Sequence, residues 1–229
     1  MEDKLVRELW ITQCTYWHLT KMLVKPPDPA LILVRGFVSQ KGGQTKGSFL
    51  SFYNVMGETD VENSESGDWA VILRDARGGV LGRYPFTPHW SDPDHTITRN
   101  LVAFDYRVPA LPGVAEADLM GPAGLLDTKK FSSSAPVIDS LTPSADAQVE
   151  TSNGHAHVSW KASTESGKPL VYTVLYSPDN DQSFGEQSFE QTGDSFDVKL
   201  APGSKTHFVK VIASDGSQST EKIVKFTIP

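Results

Sequence analysis

Alternating apolar and polar positions dominate the C-terminal half of the chain. They alternate over 196–200, a Pro202-Gly203 turn follows, and 207–213 alternates again with apolar residues on both faces. Period-two alternation is typical of strands rather than helices. The pattern predicts two antiparallel strands, and the second should lie in the centre of a sheet that another sheet covers.

The same period recurs between residues 30 and 120, where short apolar runs are separated by Gly and Pro turns. The strands predicted there are 31–38, 48–55, 69–74, 80–86, 101–108 and 114–120. The segment 57–67 is rich in carboxylates and is predicted to be a solvated loop. Many short strands between turns, with no helical period, indicate a β-sandwich over 30–134.

A polar, serine-rich stretch at 126–134 is the best candidate for a domain boundary. Further short strands are predicted after it, at 137–141, 147–150, 156–160, 171–176, 196–200, 207–213 and 223–228. They suit a second β-sandwich over 135–229. The sequence therefore predicts an all-β chain of two tandem β-sandwich domains.

Residues 1–29 do not share this pattern. Apolar residues recur at helical spacing within 5–23, and the Lys-Pro-Pro-Asp-Pro run at 25–29 would end any helix. We expect a short helical or irregular lead-in that packs on the first sandwich through its aromatic side chains.

Charge and cysteine content narrow the classes of partner. The net charge is −7 and the basic residues are scattered, which argues against nucleic-acid binding. No apolar run approaches the ~20 residues that a membrane-spanning helix needs. The single cysteine, Cys14, excludes an intramolecular disulfide and a cysteine-built metal centre within one chain. No apolar leader follows Met1, so an exported protein would contain this chain as one piece.

Several segments of the second predicted sandwich match a known pattern. Trp160 lies in HVSWKAS, 170–177 reads LVYTVLYS, and 177–184 reads SPDNDQSF. In these features the region resembles the fibronectin type III family, with Trp160 as the core tryptophan of the second strand and Phe184 in place of a hairpin tryptophan. The resemblance implies an immunoglobulin-like sandwich. The family's tyrosine corner would fall at about His207, so the sequence does not predict that corner's hydrogen bond.

The order of segments in the first predicted sandwich is also informative. It runs ILVRGFV, a glycine hairpin, FLSFYNV, an acidic loop, WAVILRDARGGVLGRYPF and two more strands. This order is similar to the β-sandwich after the catalytic domain of secreted gametolysin-like zinc metallopeptidases. The aromatic runs at 9–11 and 15–19 would then be a remnant of that catalytic domain. The family's chemistry requires H-E-x-x-H, which this chain lacks, so no catalytic residue carries over.

Candidates for ligand binding lie in the turn PHWSDPDH at 88–95. Trp90 is expected to be exposed and could stack on a sugar ring, with His89 and Asp92 beside it. The imidazole and carboxylate groups of His89, Asp92, Asp94 and His95 could hold zinc or another divalent ion, although Pro and Asp are also ordinary turn residues. A Ser91–His89–Asp92 catalytic triad is not expected, because adjacent turn residues lack an oriented base and an oxyanion hole.

Two other groups of residues offer metal ligands. Asp179, Asp181 and Glu186 could hold calcium through their oxygens, although a hairpin tip rich in Asp and Asn needs no ion. His155 and His157 lie two apart on a predicted strand and point the same way. Two imidazoles could chelate a metal, but a third ligand is not evident, so a half-exposed strand edge is the favoured interpretation. No cofactor is predicted.

These features favour a non-catalytic role rather than an enzyme. We expect an accessory spacer or substrate-presenting region of a larger, secreted metallopeptidase-like protein. Its partners would be an N-terminal catalytic domain outside this chain and a protein or glycan surface. The alternative is a carbohydrate- or cell-surface-binding module that uses Trp90.

Overall fold

The architecture is all-β, as the alternation predicts. A computed structural model describes residues 30–91, 99–178, 180–181 and 183–229, so the predicted lead-in at 1–29 lies outside the described residues. The strands are β1 (Ala30–Lys41), β2 (Gln44–Phe49), β3 (Tyr53–Met56), β4 (Ala70–Asp75), β5 (Val80–Pro85), β6 (Leu101–Pro109), β7 (Val114–Gly121), β8 (Gly124–Lys130), β9 (Val137–Thr142), β10 (Ala147–Gln148), β11 (His155–Ser163), β12 (Val171–Ser177), β13 (Gly185–Gln191), β14 (Ser195–Lys199), β15 (Thr206–Ser214) and β16 (Ser219–Thr227).

Strands β1–β8 build the first sandwich. In one sheet, β1 pairs with β6 along one edge and with β2 and β3 along the other, and the facing sheet has the order β5-β4-β7-β8. All these pairings are antiparallel. Inward side chains of both sheets share one buried core, which includes Val34, Val38, Val71, Leu73 and Leu119. Burial of these apolar side chains is the main force that holds the sheets together.

The strand predicted at 48–55 is interrupted, so that prediction is wrong as a single element. Strand β2 ends at Phe49 and β3 begins at Tyr53. Between them the backbone amide of Phe52 donates to the carbonyl oxygen of Gly216, at 3.1 Å. The chain therefore leaves its own sheet at this point to contact the second sandwich.

The carboxylate-rich segment 57–67 is a loop, as predicted, and it fastens the edges of the two sheets. Asp60 forms an ion pair with Arg107 of β6, with 2.6 Å between Oδ1 and Nη2. Hydrogen bonds from Arg107 are the main cause of the lowered pKa of Asp60. On the other sheet, the backbone amide of Ser64 donates to the Arg83 carbonyl oxygen at 2.9 Å.

Strands β9–β16 build the second sandwich. One sheet has the order β10-β16-β15-β12-β13, and the other has the order β14-β11-β9. Strand β15 lies between β12 and β16, which confirms the predicted central strand. Strand β14 pairs with β11 in the other sheet, so the Pro202-Gly203 connection crosses from one sheet to the other. Trp160 is buried in this core and packs on Tyr172, with ring centroids 5.3 Å apart.

The serine-rich stretch is shorter than predicted. Strand β8 runs to Lys130, so residues 126–130 of the predicted boundary are strand rather than linker. The polar residues of this stretch suggested a linker, but Asp127 is a strand residue that joins the two sheets. Its Oδ2 accepts hydrogen bonds from the Phe49 amide at 2.7 Å and the Ser48 hydroxyl at 3.1 Å.

Strand β13 was not predicted, since its sequence, GEQSFEQ, has only one large apolar residue.

A tyrosine close to the predicted corner makes the hydrogen bond that the sequence did not predict. The Tyr176 hydroxyl on β12 accepts from the backbone amide of Ala201 at 2.9 Å. It also lies 2.9 Å from Nδ1 of His207, which is fully buried on β15. The ring of His207 lies between the rings of Tyr176 and Phe226, at centroid distances of 6.0 and 5.5 Å. His207 and Tyr176 thus fill this corner together.

Candidate functional site

The predicted ligand-binding turn does not present an exposed aromatic ring. Trp90 is half-buried and packs against the first core, with its ring 5.8 Å from that of the buried Trp69. The expectation of an exposed Trp90 is therefore wrong, because the ring continues an aromatic cluster of the core. His89 is exposed, and Asp92 and the turn residues after it lie outside the described residues.

The structure describes two of the three predicted calcium ligands. Asp181 and Glu186 are both exposed, and Asp179 lies outside the described residues. Within the described ranges, no group of three or more His, Cys, Asp or Glu side chains is arranged to hold a metal ion. His155 and His157 share the outward face of β11, as predicted from their spacing.

A group of polar contacts between distant parts of the chain lies where the two sandwiches meet. We call this the junction: residues 50–54 and 129–132 of the first sandwich against 189–190 and 214–219 of the second. Phe52 is fully buried there. Its amide donates to Gly216, and its carbonyl oxygen accepts from the Ser214 hydroxyl at 3.1 Å. Both backbone groups of one residue are thus satisfied by the other sandwich.

A second contact in the junction has two hydrogen bonds. The backbone amide of Asn54 donates to Oγ of Ser219, and the Asn54 side-chain amide donates to the Ser219 carbonyl oxygen, each at 2.8 Å. Ser219 is buried at the start of β16. This pair fixes the edge strand β3 against β16, because two bonds between the same residues restrict rotation as well as separation.

An aromatic and charged cluster closes one side of the junction. The Tyr53 hydroxyl donates to Oε1 of Glu190 at 3.0 Å, and Nη1 of Arg35 lies 3.5 Å from the same oxygen. The Arg35 guanidinium also lies 4.5 Å from the ring centroid of Phe189, a cation–π distance. Burial is the main cause of the strongly raised pKa of Tyr53, so this hydroxyl remains a donor over the physiological range.

The backbone of Glu190 is adapted to this cluster. Its φ is +48°, in the left-handed region that few residues other than glycine adopt. The pairing of β12 with β13 also shifts register near this point, between Tyr172 and Val174. A bulge interrupts the regular alternation of side chains along a strand. Here it lies beside Glu190, whose side chain contacts Tyr53 and Arg35.

A lysine of β8 contacts both sandwiches at the junction. Nζ of Lys129 donates to the carbonyl oxygens of Leu50 and Gly216, at 2.9 Å each, and lies 5.1 Å from the ring centroid of Phe52. Burial is the main cause of its lowered pKa, and the nearby Lys168 lowers it further while Asp127 opposes the change. The ammonium group is therefore held by carbonyl dipoles and an aromatic face.

The turn after β15 supplies most of the residues that the second sandwich brings to the junction. It reads SDGSQS over 214–219. The buried Asp215 carboxylate organises it by accepting from the Ser217 amide and hydroxyl and from the Gln218 amide, at 2.8–2.9 Å. Ser217 in turn accepts from the Ser132 amide at 3.0 Å, and the Gln218 side chain donates to the Ser132 carbonyl oxygen.

The protonation of Asp215 follows from these contacts. Burial alone would raise its pKa, but hydrogen bonds, including those from the Gln218 and Ser217 backbone amides, outweigh burial and lower the pKa to about 2. The carboxylate is therefore charged at neutral pH and accepts hydrogen bonds only. It holds the turn in the shape that meets Ser132.

Sequence reasoning missed the junction, and only a weak signal for it exists. The turn SDGSQS follows a strand that is apolar on both faces, yet its serines and aspartate are buried. A polar turn beside a central strand is ordinarily a solvated loop. A buried partner for it could have been sought in the aromatic run at 49–53, but no local pattern connects the two.

None of the described residues forms a helix of the length and hydrophobicity that a bilayer crossing requires.

Comparison with known proteins adds a resemblance in structure. No protein-family model matches the chain, and no curated protein sequence matches it. Among the solved structures that match is a chimeric titin Z1Z2 functionalized with a KLER exogenous peptide from decorin. It is 12% identical, the match covers 79% of this chain and 87% of that chain, and the TM-score is 0.28. The strands and their pairing, rather than this match, show that the described chain is all-β and forms two β-sandwiches.

Proposed function

We propose that this chain is a non-catalytic rigid spacer, which sets the distance and orientation between partners attached to its two sandwiches. The observation that carries the proposal is the junction. There, backbone groups of Phe52 and Asn54 in one sandwich bond directly to Gly216, Ser214 and Ser219 in the other.

Rigidity is what makes such a body useful as a spacer. Domains in one chain move relative to each other unless their interface restrains them. Each neutral hydrogen bond contributes only about 1 kcal/mol. Here, however, the Asn54–Ser219 pair, the Lys129 bridge and the Arg35–Tyr53–Glu190 cluster all act at one junction. Several contacts of different kinds at one junction oppose relative motion of the two sandwiches.

The attached partner is a further part of the proposal. The resemblance of 30–134 to the sandwich of gametolysin-like zinc metallopeptidases supports a peptidase catalytic domain in a secreted protein as that partner. The carbohydrate-binding alternative has less support, because its contact residue, Trp90, packs on Trp69. Sugar-binding platforms need an accessible aromatic face.

Distance measurements between the sandwiches test the spacer. Spin labels on Val80→Cys and Lys199→Cys, in a Cys14→Ser background, place one probe on an exposed position of β5 and one on β14. Double electron–electron resonance should give one narrow distance distribution. A broad or bimodal distribution in this chain would contradict the rigid spacer.

A protease assay tests the non-catalytic part of the proposal. Casein incubated with the chain and excess zinc chloride should stay intact. Zinc-dependent cleavage that follows the protein through two chromatographic steps would overturn it.

A further inference from the structure

Two histidines project from the outer face of the second sandwich. His155 and His157 lie on β11, where the alternate residues Ala156 and Val158 are fully buried in the core. Residues two apart on a strand point to the same face. Both imidazoles therefore project from the outward side of the three-stranded sheet.

Each ring has its Nδ1 atom bound to an oxygen. Nδ1 of His155 lies 3.0 Å from the Asn153 carbonyl oxygen, and Nδ1 of His157 lies 2.7 Å from Oδ1 of Asp197. A carbonyl and an ionised carboxylate only accept hydrogen bonds, so Nδ1 must be the protonated nitrogen in both rings. In the neutral rings the lone pair then lies on Nε2.

This is the arrangement that metal-binding histidines use. A ligating imidazole usually donates its other N–H to a carboxylate or a backbone carbonyl, which fixes the ring and increases the basicity of the ligating nitrogen. His157 has the carboxylate form of this support and His155 the carbonyl form. Within the described part of the chain, neither Nε2 atom takes part in a hydrogen bond.

The space in front of the rings can hold a hydrated ion. A cleft of about 490 Å³ is lined by Glu150, Ser152, Asn153, His155, His157 and Asp197. Two carboxylates border it, which favours a cation. Lys199 lies opposite His155 in the β11–β14 register and opposes that attraction in part.

We propose that His155 and His157 form a two-nitrogen site for a divalent transition-metal ion, in which Nε2 of each ring ligates the metal and water fills the remaining positions. Imidazole suits copper, nickel and zinc, and affinity for one nitrogen site increases to a maximum at Cu²⁺. The site thus prefers Cu²⁺ to Ni²⁺ and Zn²⁺. Asp197 is a positioning residue, because it acts on the metal only through the ring of His157.

Calorimetric titration of the full chain with copper(II) chloride tests the site. The unaltered protein should bind one ion in this site. His155→Ala and His157→Ala should each weaken binding at least tenfold, because each leaves a single imidazole. His89→Ala is the matched control, since it removes an exposed histidine outside β11, and it should leave this affinity unchanged.

Two spectroscopic readouts separate ligation from a structural effect. Electron paramagnetic resonance of the copper complex should show two coupled imidazole nitrogens, and one in either alanine variant. Nitrogen chemical shifts of the metal-free protein should place the His157 proton on Nδ1. Asp197→Asn should disturb that tautomer and weaken copper binding roughly tenfold, with the two nitrogens retained.

Other results would overturn the site. They are an absence of saturable copper binding, equal affinity in both alanine variants and the unaltered chain, or a proton on Nε2 of His157. Circular dichroism must show that each variant is folded. The proposed spacer role does not depend on this site, so either proposal can fail alone.

Discussion

Asn54 and Ser219 hold each other through two hydrogen bonds of 2.8 Å, one from the backbone amide and one from the side-chain amide of Asn54. They lie 165 residues apart in the sequence and belong to different sandwiches. The two bonds together hold β3 beside β16. The relative position of the two sandwiches is therefore encoded in specific polar pairs as well as in the connecting segment.

Removal of the Asn54 side chain should loosen the junction without unfolding either sandwich. Asn54→Ala removes the side-chain hydrogen bond and leaves the Ser219 carbonyl without that donor, which should cost about 1–3 kcal/mol in the contact. The distance distribution between labels at positions 80 and 199 should broaden. Asn100→Ala, an exposed position of the first sandwich, is the control and should leave the width unchanged. Equal widths in both variants would mean that this pair does not restrain the junction.

Acid should weaken the junction through Asp215. Because the folded state lowers the pKa of this carboxyl from 3.8 to about 2, its charged form stabilises the fold at pH values above about 4. That contribution, about 2 kcal/mol, is lost as the pH falls from about 4 to about 2. Asp215→Asn should therefore lower the free energy of unfolding at pH 7 and remove most of this loss in acid. Urea denaturation at several pH values measures it.

Asp139→Asn is the control for that series, because Asp139 is exposed on β9. Its stability should follow that of the unaltered chain at every pH. If the difference between Asp215→Asn and the unaltered chain were the same at pH 2 and pH 7, the carboxylate would not be the source of the acid sensitivity.

The sequence predicts strands well where burial imposes alternation. Strand β15 is identified by its apolar residues on both faces, and its central position follows from that pattern. Alternation fails for β8 and β13, because these edge strands carry polar side chains on both faces. Such residues are typical of edge strands, which need protection from unwanted pairing. The pattern of an edge strand therefore resembles that of a linker.

The junction could not be predicted from the sequence for a different reason. Its pairs, such as Tyr53 with Glu190, join residues 137 positions apart. The local pattern of apolar and polar residues does not indicate which distant polar group a side chain will contact. The sequence predicts only part of the orientation of His155 and His157. Their spacing gives a common face, but the carbonyl of Asn153 and the carboxylate of Asp197 that fix the rings emerge only from the fold.

Strand β1 should be intolerant of a side chain at Gly36. A Cβ atom there would lie 2.6 Å from the Ser48 backbone oxygen and 2.7 Å from the Phe104 ring, closer than real Cβ atoms approach such neighbours. Since Ser48 is held in the paired strand, the sheet must distort, and overpacking of this kind costs roughly 1–3 kcal/mol. Gly36→Ala should lower the free energy of unfolding by that amount in urea. Gly193→Ala meets only the Ser195 oxygen at 3.9 Å and should have little effect.

Loss of the Tyr176 hydroxyl should destabilise the second sandwich. In Tyr176→Phe the buried Nδ1 of His207 and the Ala201 amide both lose the oxygen that lies 2.9 Å from each. A buried polar group that loses its partner costs about 1–3 kcal/mol. Thermal and urea unfolding should show a loss in that range, while packing of the ring itself is preserved.

Tyr172→Phe provides the matched comparison on the same strand. Tyr172 is nearly as buried as Tyr176, but within the described residues its hydroxyl makes no hydrogen bond, so its removal should change stability by less than about 0.5 kcal/mol. Equal losses in the two variants would show that the hydrogen bonds to His207 and Ala201 make no specific contribution to the stability of this corner. A loss confined to Tyr176→Phe would mean that the Tyr176 hydroxyl on β12 stabilises this corner through its contacts with His207 and Ala201.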